Sequence, residues 1–237
     1  MSTPRFSASI AGRYMACPAS ANLDKAIPNW TPPDVDPMAG AKGRGTTLHA
    51  LLEPVVKLSI PDMRDYVRIL NDVWDLRQRR RFQAWAEHTV CADWLDSKPW
   101  TTADLVLFTK DELHIVDFKF GRIPVQIVGN EQLLFYAASY AHLAPNARAV
   151  TLHVLQPAAD QMEEWVADST EIARFMNRAR VSEKLVMAGD TTFGPSDHCT
   201  FCPAYPHSRG DKGKPLCPAT MNLLYPPTID EQAMLDD

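Results

Sequence analysis

The residues best placed to do chemistry in this chain lie in TADLVLFTKDELHIVDFK, residues 102–119. DLVLF and LHIVD are separated by TKDE, a length that suits a β-hairpin loop. Pairing Phe108 with Leu113 and counting back along both strands sets Asp104 directly opposite Asp117. Opposed side chains lie about 5 Å apart and like charges there repel. Two carboxylates in an otherwise apolar sheet therefore call for a cation between them. A hard divalent ion such as Mg2+ or Mn2+ suits carboxylate oxygen. Lys119 follows Asp117 by two residues, so strand periodicity puts both on one face. A register shifted by one residue would turn the pair apart. An Asp that merely caps a strand would read the same way, so the hairpin alone leaves structure and chemistry open.

A second chemistry-bearing set is made of cysteines. The chain holds five, and the tripeptide CPA begins at Cys17, Cys202 and Cys217. In a reducing compartment, C-x-x-C at Cys199 and Cys202 reads as a metal or redox motif rather than a bridge. A redox dithiol belongs at a helix N-terminus after a strand, whereas this pair sits in a Pro-rich tail. Cys217 adds a third thiolate, and Cys17 shares its sequence context. Four thiolates fit tetrahedral Zn2+ or an iron–sulfur cluster, and spacing does not separate the two. His198 and His207 are alternative donors, while Cys91 sits in a strand pattern and reads as a small core residue.

The elements that must position these groups follow from periodicity. Residues 1–42 read as an arm with one short helix near Cys17. Leu48, Leu51, Leu52, Val55 and Val56 recur at helical spacing, giving an amphipathic helix over 43–58. A second helix is expected over about 62–87, with Val67, Leu70, Trp74 and Phe82 on its apolar positions. Strands follow at HTVCADW, DLVLF and LHIVDFK, then a helix at GNEQLLFYAASYAHL. RAVTLHVLQP reads as a strand, DSTEIARFMNRARVSEKLVM as a long helix, and the cysteine tail closes the chain. Three regions result: the arm 1–42, a core 43–190, and a cysteine segment 191–237.

Length and composition limit what such a chain can be. Its 237 residues, 46% hydrophobic and 22% charged, are enough for one large domain with appendages. No apolar run reaches the span of a bilayer, and MSTPRFSASI lacks the layout of a signal peptide, so a cytoplasmic protein without membrane partners is expected. A net charge of −5 argues against a broad non-specific nucleic-acid coat but not against a local basic groove.

Two helices supply further candidates. His49 and Glu53 stand four apart on one face beside the apolar stripe. Gln132, Tyr136 and Tyr140 share a face in the same way. A lone His on an apolar face is more often core than ligand, and a Tyr stripe is usually packing, so each is weak singly. The run RQRRR at 77–81 is read as a solvated helix face or, in a nucleic-acid enzyme, a phosphate-contacting ridge.

In their order along the chain, GTTLHALLE (45–53), Asp104 in TADLVLF, DFK (117–119) and QLLFY (132–136) resemble the PD-(D/E)xK nuclease superfamily. The likeness is to its RecB-like branch, marked by G-x-x-x-H-x-x-x-E, a strand-opening Asp, D-x-K and Q-x-x-x-Y. LHIVDFKFGR and GNEQLLFYA look particularly like a phage and prophage family of RecB-type domains. The resemblance covers roughly 43–156 and implies a mixed α/β, restriction-endonuclease-like core: helix, three-stranded antiparallel meander, helix, strand. It implies His49, Asp104, Asp117 and the Phe118 carbonyl as ligands of Mg2+ or Mn2+. It gives Lys119 the attacking water, and Gln132 and Tyr136 the positioning of the strand or of Lys119. Glu53 would support the site or be solvated. Lys42, Arg44, Arg79, Arg80 and Arg122 would contact phosphate. Two departures stand out: no extra acidic ligand is evident after Glu87, and Thr102-Ala103 replace the usual Gly before the first Asp.

One subgroup of these nucleases, CRISPR-associated and AddB-type, carries a 4Fe-4S cluster on one Cys before the core and three after it. That layout maps onto Cys17, Cys199, Cys202 and Cys217, with a longer gap than usual before Cys217. The cluster would clasp the N-terminal arm to the C-terminal tail, with Zn2+ as the alternative occupant. The implied activity is a deoxyribonuclease, in exonuclease form, serving phage recombination, replication or DNA processing in a bacterial host cell. Its partners would be linear or single-stranded DNA ends and a phage recombinase or single-strand-binding protein. The other readings are a DNA-end-binding recombination accessory protein on the same fold, and a zinc-ribbon module fused to an inert sheet.

Overall fold

The computed structural model describes residues 6–26, 82–119, 123–156, 159–190, 192–195, 198, 199, 202, 204, 217 and 219. The chain divides into two compact units, one of Met1–Ala11 with Val35–Arg180, the other of Gly12–Asp34 with Val181–Asp237.

The first unit is built on a five-stranded sheet in the order β1-β2-β3-β4-β5. Its strands are β1 (Gln83–Cys91), β2 (Trp100–Phe108), β3 (Leu113–Phe118), β4 (Ala149–Gln156) and β5 (Gln161–Asp168). β1, β2 and β3 form an antiparallel meander. β3 and β4 run parallel, which a tight turn cannot achieve. The helix α3 (Glu131–Tyr140) supplies the crossover. β5 then returns antiparallel to β4. Phe108 pairs with Leu113 as expected, and Leu105 with Val116. The carboxylate-bearing positions 104 and 117 come next in that register.

One sheet face carries Val106, Phe108, Leu113, Ile115, Leu152 and Val154, all buried. Against it α3 sets Leu133, Phe135, Tyr136 and Tyr140. Each large apolar side chain so buried contributes roughly 1.5–3 kcal/mol. The helix starts where it does because the Asn130 side chain accepts from the Gln132 and Leu133 N–H groups, at 3.0 and 3.2 Å. Such a cap is worth about 1 kcal/mol. Gly129 just before it has φ +75°, a conformation glycine adopts without a Cβ clash. Trp94, Phe135 and Phe175 pack edge to face, and Trp94 Nε1 donates to Ser139 Oγ at 3.1 Å.

Two expectations need correcting. Residues 83–87 belong to β1 and not to a helix ending at 87. Cross-strand pairing with Leu105–Phe108 wins there over a weak helical period. The strand β5 goes unseen in the sequence because, as an edge strand, its burial does not alternate: Met162, Glu163, Glu164 and Val166 are all exposed. The helices expected over 43–58 and up to residue 81 lie outside the described residues.

In the second unit, α1 (Ala11–Ala16, from Gly12 onward) and α2 (Pro18–Ala26) meet the last turns of α4 (Ser169–Met187). Asn22 Nδ2 donates to the carbonyls of Val186 and Asp190, at 3.3 and 3.2 Å, serving acceptors a helix end leaves open. A Cβ on Gly194 would lie 2.2 Å from the Ala16 carbonyl oxygen, so only glycine allows the two backbones to approach this closely. No helix among the described residues is long and apolar enough to cross a membrane.

On the sheet face away from α3, His114 Nδ1 and His153 Nε2 share a hydrogen bond at 3.2 Å, with rings stacked. Glu112 and Glu164 stand at 3.8 and 3.9 Å from the outer ring nitrogens. Burial, and then the neighbouring His114, push the His153 pKa down to about 4. The unfolded chain would protonate this ring near pH 6.5 and so binds more protons than the fold between about 6.5 and 4. Stability from this site is full above about pH 6.5 and is lost as pH falls towards 4. Between pH 7 and 5 the loss is about 2 kcal/mol. Thermal unfolding of the wild type and of His153→Gln at both pH values measures it; the variant's acid loss should be smaller by that amount.

Candidate active site

Strand alternation brings Asp104, Asp117 and the start of the Lys119 side chain to the sheet face that α3 covers. Asp117 is 3% exposed. A buried carboxylate must be hydrogen-bonded or paired. Here Lys119 Nζ lies 2.9 Å from Asp117 Oδ2, and Gln132 Nε2 donates to Asp117 Oδ1 at 3.1 Å. Lys119 Nζ also donates to Gln132 Oε1 at 2.9 Å. The amide of Gln132 therefore joins both members of the ion pair, its oxygen facing the cation and its nitrogen the anion. Gln132 Nε2 reaches Tyr136 Oη as well, at 2.9 Å. The expected Gln–Tyr face of α3 thus meets the expected Asp–Lys face of β3.

Asp104 Oδ2 accepts from the Phe118 N–H at 2.6 Å. This bond ties the middle of β2 to the end of β3, where the ladder pairs of the two strands have stopped. Asp104, expected to open a strand, lies midway along one because β2 starts earlier, at Trp100, through its pairing with β1. On the other side of β3, the Lys119 N–H donates to the Leu155 carbonyl at 2.9 Å. Asp117, Phe118 and Lys119 are accordingly fixed from both flanks.

Burial, and then the Asp117 carboxylate, hold the Tyr136 phenol far above its ordinary pKa. Tyr136 is therefore a neutral hydroxyl at any working pH, hydrogen-bonded to Gln132. Tyr140, on the same helix face, is pushed up to about 12 mainly by burial. Its hydroxyl accepts from the Ala103 N–H at 3.2 Å and donates to the His88 carbonyl. It therefore braces β1 and β2 beside Asp104.

The sequence pattern places Glu87 only at a helix end. In register it falls between Ala86↔Leu105 and His88↔Ala103, across from Asp104, and it has a left-handed φ of +46°. A misassigned helix hid it; the signal would have been strand propensity in QAWAEHTVC. Asn130 was also missed, although Asn two residues before Gln132 is a recognisable cap signal.

His49, Glu53, Lys42, Arg44, Arg79, Arg80 and Arg122 lie outside the described residues. Among the described residues, no group of three or more His, Cys, Asp or Glu side chains gathers as a metal site. The facing pair Asp104 and Asp117 nonetheless has the donor chemistry of a hard divalent cation: oxygen only, and doubly negative.

None of the five cysteines is joined in a disulfide. Cys17, Cys199, Cys202 and Cys217 all fall in the second unit, although residues 35–180 separate the first from the rest. Cys202 and Cys217 are buried in one cluster with Ala204, against Phe193 and Ala219. Arg13 Nη1 stands 4.0 Å from Cys202 Sγ, and Cys17 Sγ stands 4.0 Å from the Thr192 carbonyl. Cys199 Sγ lies 3.9 Å from His198 Nε2. Thiol chemistry and a shared unit fit a thiolate-bound metal, but no three of these groups are gathered around one point. Cys91 is half-buried in β1, with Sγ 3.5 Å from the Lys98 carbonyl.

Sheet order and crossover define a mixed α/β fold shared with a candidate exonuclease from Eubacterium rectale. That structure matches at 10% identity over 93% of each chain, with a TM-score of 0.50. An alkaline exonuclease from Laribacter hongkongensis is similar at 11% identity over 78% of this chain and 89% of that one, with a TM-score of 0.44. The chain belongs to the DUF2800 family, described as a protein of unknown function, whose match spans residues 62–236.

Replacing Gln132 tests the network directly. Gln132→Leu removes the amide partner of Asp117, Lys119 and Tyr136 at once. Stripping a partner from buried polar groups costs about 1–3 kcal/mol. Chemical denaturation should report a loss of that size, whereas an unchanged midpoint would mean that the network carries no stability.

Proposed function

We propose that this protein is a metal-dependent deoxyribonuclease of the PD-(D/E)xK superfamily that hydrolyses phosphodiester bonds. The observation that carries the proposal is the joining of Asp117, Lys119 and Gln132 by hydrogen bonds of 2.9–3.1 Å, with Asp104 next in register. A buried ion pair alone is a common structural device. A lysine held against a carboxylate, beside a second carboxylate across a hairpin, is an arrangement suited to phosphate chemistry.

Asp104, Asp117 and the Phe118 carbonyl would hold Mg2+ or Mn2+, with His49 as a further ligand. When bound, such an ion lowers the pKa of water and stabilises charge on the phosphate. Lys119 has three ammonium protons. Asp117 and Gln132 take two, leaving the third for the attacking water or a phosphate oxygen. In the hydrolysis, water oxygen bonds to phosphorus, the bond to the leaving sugar oxygen breaks, and a proton passes to that oxygen. Gln132 keeps the ammonium aimed, and Tyr136 keeps Gln132 in its rotamer.

The exonuclease form, and a place in phage recombination, replication or processing, are the finer parts of this reading. The fold shared with the Eubacterium rectale candidate exonuclease supports the exonuclease form. Lys42, Arg44, Arg79, Arg80 and Arg122 would contact the phosphate backbone, and a recombinase or single-strand-binding protein would be the protein partner. Purified protein incubated with end-labelled linear DNA and Mg2+ or Mn2+ should digest it. Asp117→Ala should fall to background, and Lys119→Ala by about 10²–10⁴-fold. Wild-type protein that leaves DNA intact with every divalent ion would sink the enzyme reading in favour of DNA-end binding.

For the second unit we propose that Cys17, Cys199, Cys202 and Cys217 hold a 4Fe-4S cluster that ties the N-terminal arm to the tail. Its support is their common unit and the burial of Cys202 with Cys217. Its role would be structural, as metal binding to thiolates is folding free energy. Anaerobically purified protein should absorb near 400 nm and contain iron, and Cys202→Ala should lose both. Zinc without that absorbance would assign the thiolates to Zn2+ instead.

A further inference from the structure

Gln156 and Gln161 face each other on the last rung of the β4–β5 ladder. They are 1% and 7% exposed. Buried amides are costly unless hydrogen-bonded, and both of these are used on the main chain of the loop between β3 and α3. Gln161 Oε1 accepts from the Val125 N–H at 2.9 Å, and its Nε2 donates to the Val125 carbonyl at 2.6 Å. Gln156 Oε1 accepts from the same N–H at 3.1 Å, and its Nε2 donates to the Ile123 carbonyl at 2.8 Å. Gln161 thus makes with one side chain the paired bonds that an adjacent strand would make.

Apolar burial does little to hold the described part of this loop, residues 123–130. Ile123 is 82% exposed and Val128 58%, and of residues 123–130 only Ile127 is buried. Yet the loop has Lys119 at one end and Asn130, the cap of α3, at the other. Lys119 hydrogen-bonds through its main chain to Leu155, the residue before Gln156. The Lys119–Gln132 bond closes across the loop's two ends, and the amides seize its middle.

We propose that Gln156 and Gln161 are positioning residues: an amide clip that fixes residues 123–130 so that Gln132 meets Lys119 and Asp117. The clip touches no substrate and acts through the loop it holds. The proposal rests on the nuclease reading above.

Full-length wild type, Gln161→Leu, Gln156→Leu and Gln161→Glu would be compared by single-turnover cleavage of end-labelled linear DNA with Mn2+, well below each melting temperature. DNA affinity would be measured separately without divalent ions. Small displacements of reacting groups cost large rate factors. The Leu variants should therefore cleave at least about tenfold more slowly, with affinity changed by less than about threefold. A glutamate at 161 donates to the Val125 carbonyl only when protonated. The Gln161→Glu rate, relative to wild type, should thus climb as pH falls from about 8 to about 6. This second readout decides the matter if a Leu variant fails to fold. Folded Leu variants cleaving at the wild-type rate, or a Gln161→Glu ratio flat with pH, would overturn the clip alone. A wild type that cleaves nothing overturns the nuclease reading and the clip with it.

Discussion

Two carboxylates at one end of a hairpin set the constraint that the rest of the first unit answers. Asp104 and Asp117 come opposite each other because β2 and β3 pair in the register that joins Leu105 to Val116. Like charges so placed repel, and burial of Asp117 removes the water that would screen them. The fold responds with a Phe118 N–H for Asp104, and with the Lys119 ammonium and the Gln132 amide for Asp117. Breaking one partner of such a buried group costs more than the hydrogen bond is worth. Both carboxylates are accordingly satisfied by groups of the fold itself.

That answer depends on α3 being where it is. The parallel step from β3 to β4 demands a crossover, and the crossover helix carries the amide and the phenol. Asn130 starts the helix so that Gln132 falls in its first turn, level with the end of β3. The glutamines at the β4–β5 corner hold the connecting chain. The geometry of the Asp117–Lys119–Gln132 network is thereby a property of the connection as much as of the strands.

The second unit sets α1 and α2 beside the last turns of α4. Its described residues bury Tyr14 and Val186 together with small groups, among them Cys202, Ala204 and Cys217 beside Phe193, and two backbones approach closely at Gly194. Thiolate–metal bonds at the proposed cluster would add to that burial.

Much of the site was legible in the sequence because its logic is local. Hairpin loop length gave the Phe108–Leu113 pair, alternation put Lys119 with Asp117, and helical spacing put Gln132 with Tyr136. What was not legible depends on pairing between distant segments. The helix expected to reach residue 87 gives way to β1 through pairing with β2, which also sets Glu87 across from Asp104. The edge strand β5 has no alternation to read, and without it Gln161 has no visible purpose. By itself the sequence determined which side chains share a strand face or a helix face, since those periods are intrinsic to the backbone. Only the tertiary structure decided that the β3 face and the α3 face meet at 2.9–3.1 Å, because that depends on a crossover and on amides from strands far along the chain.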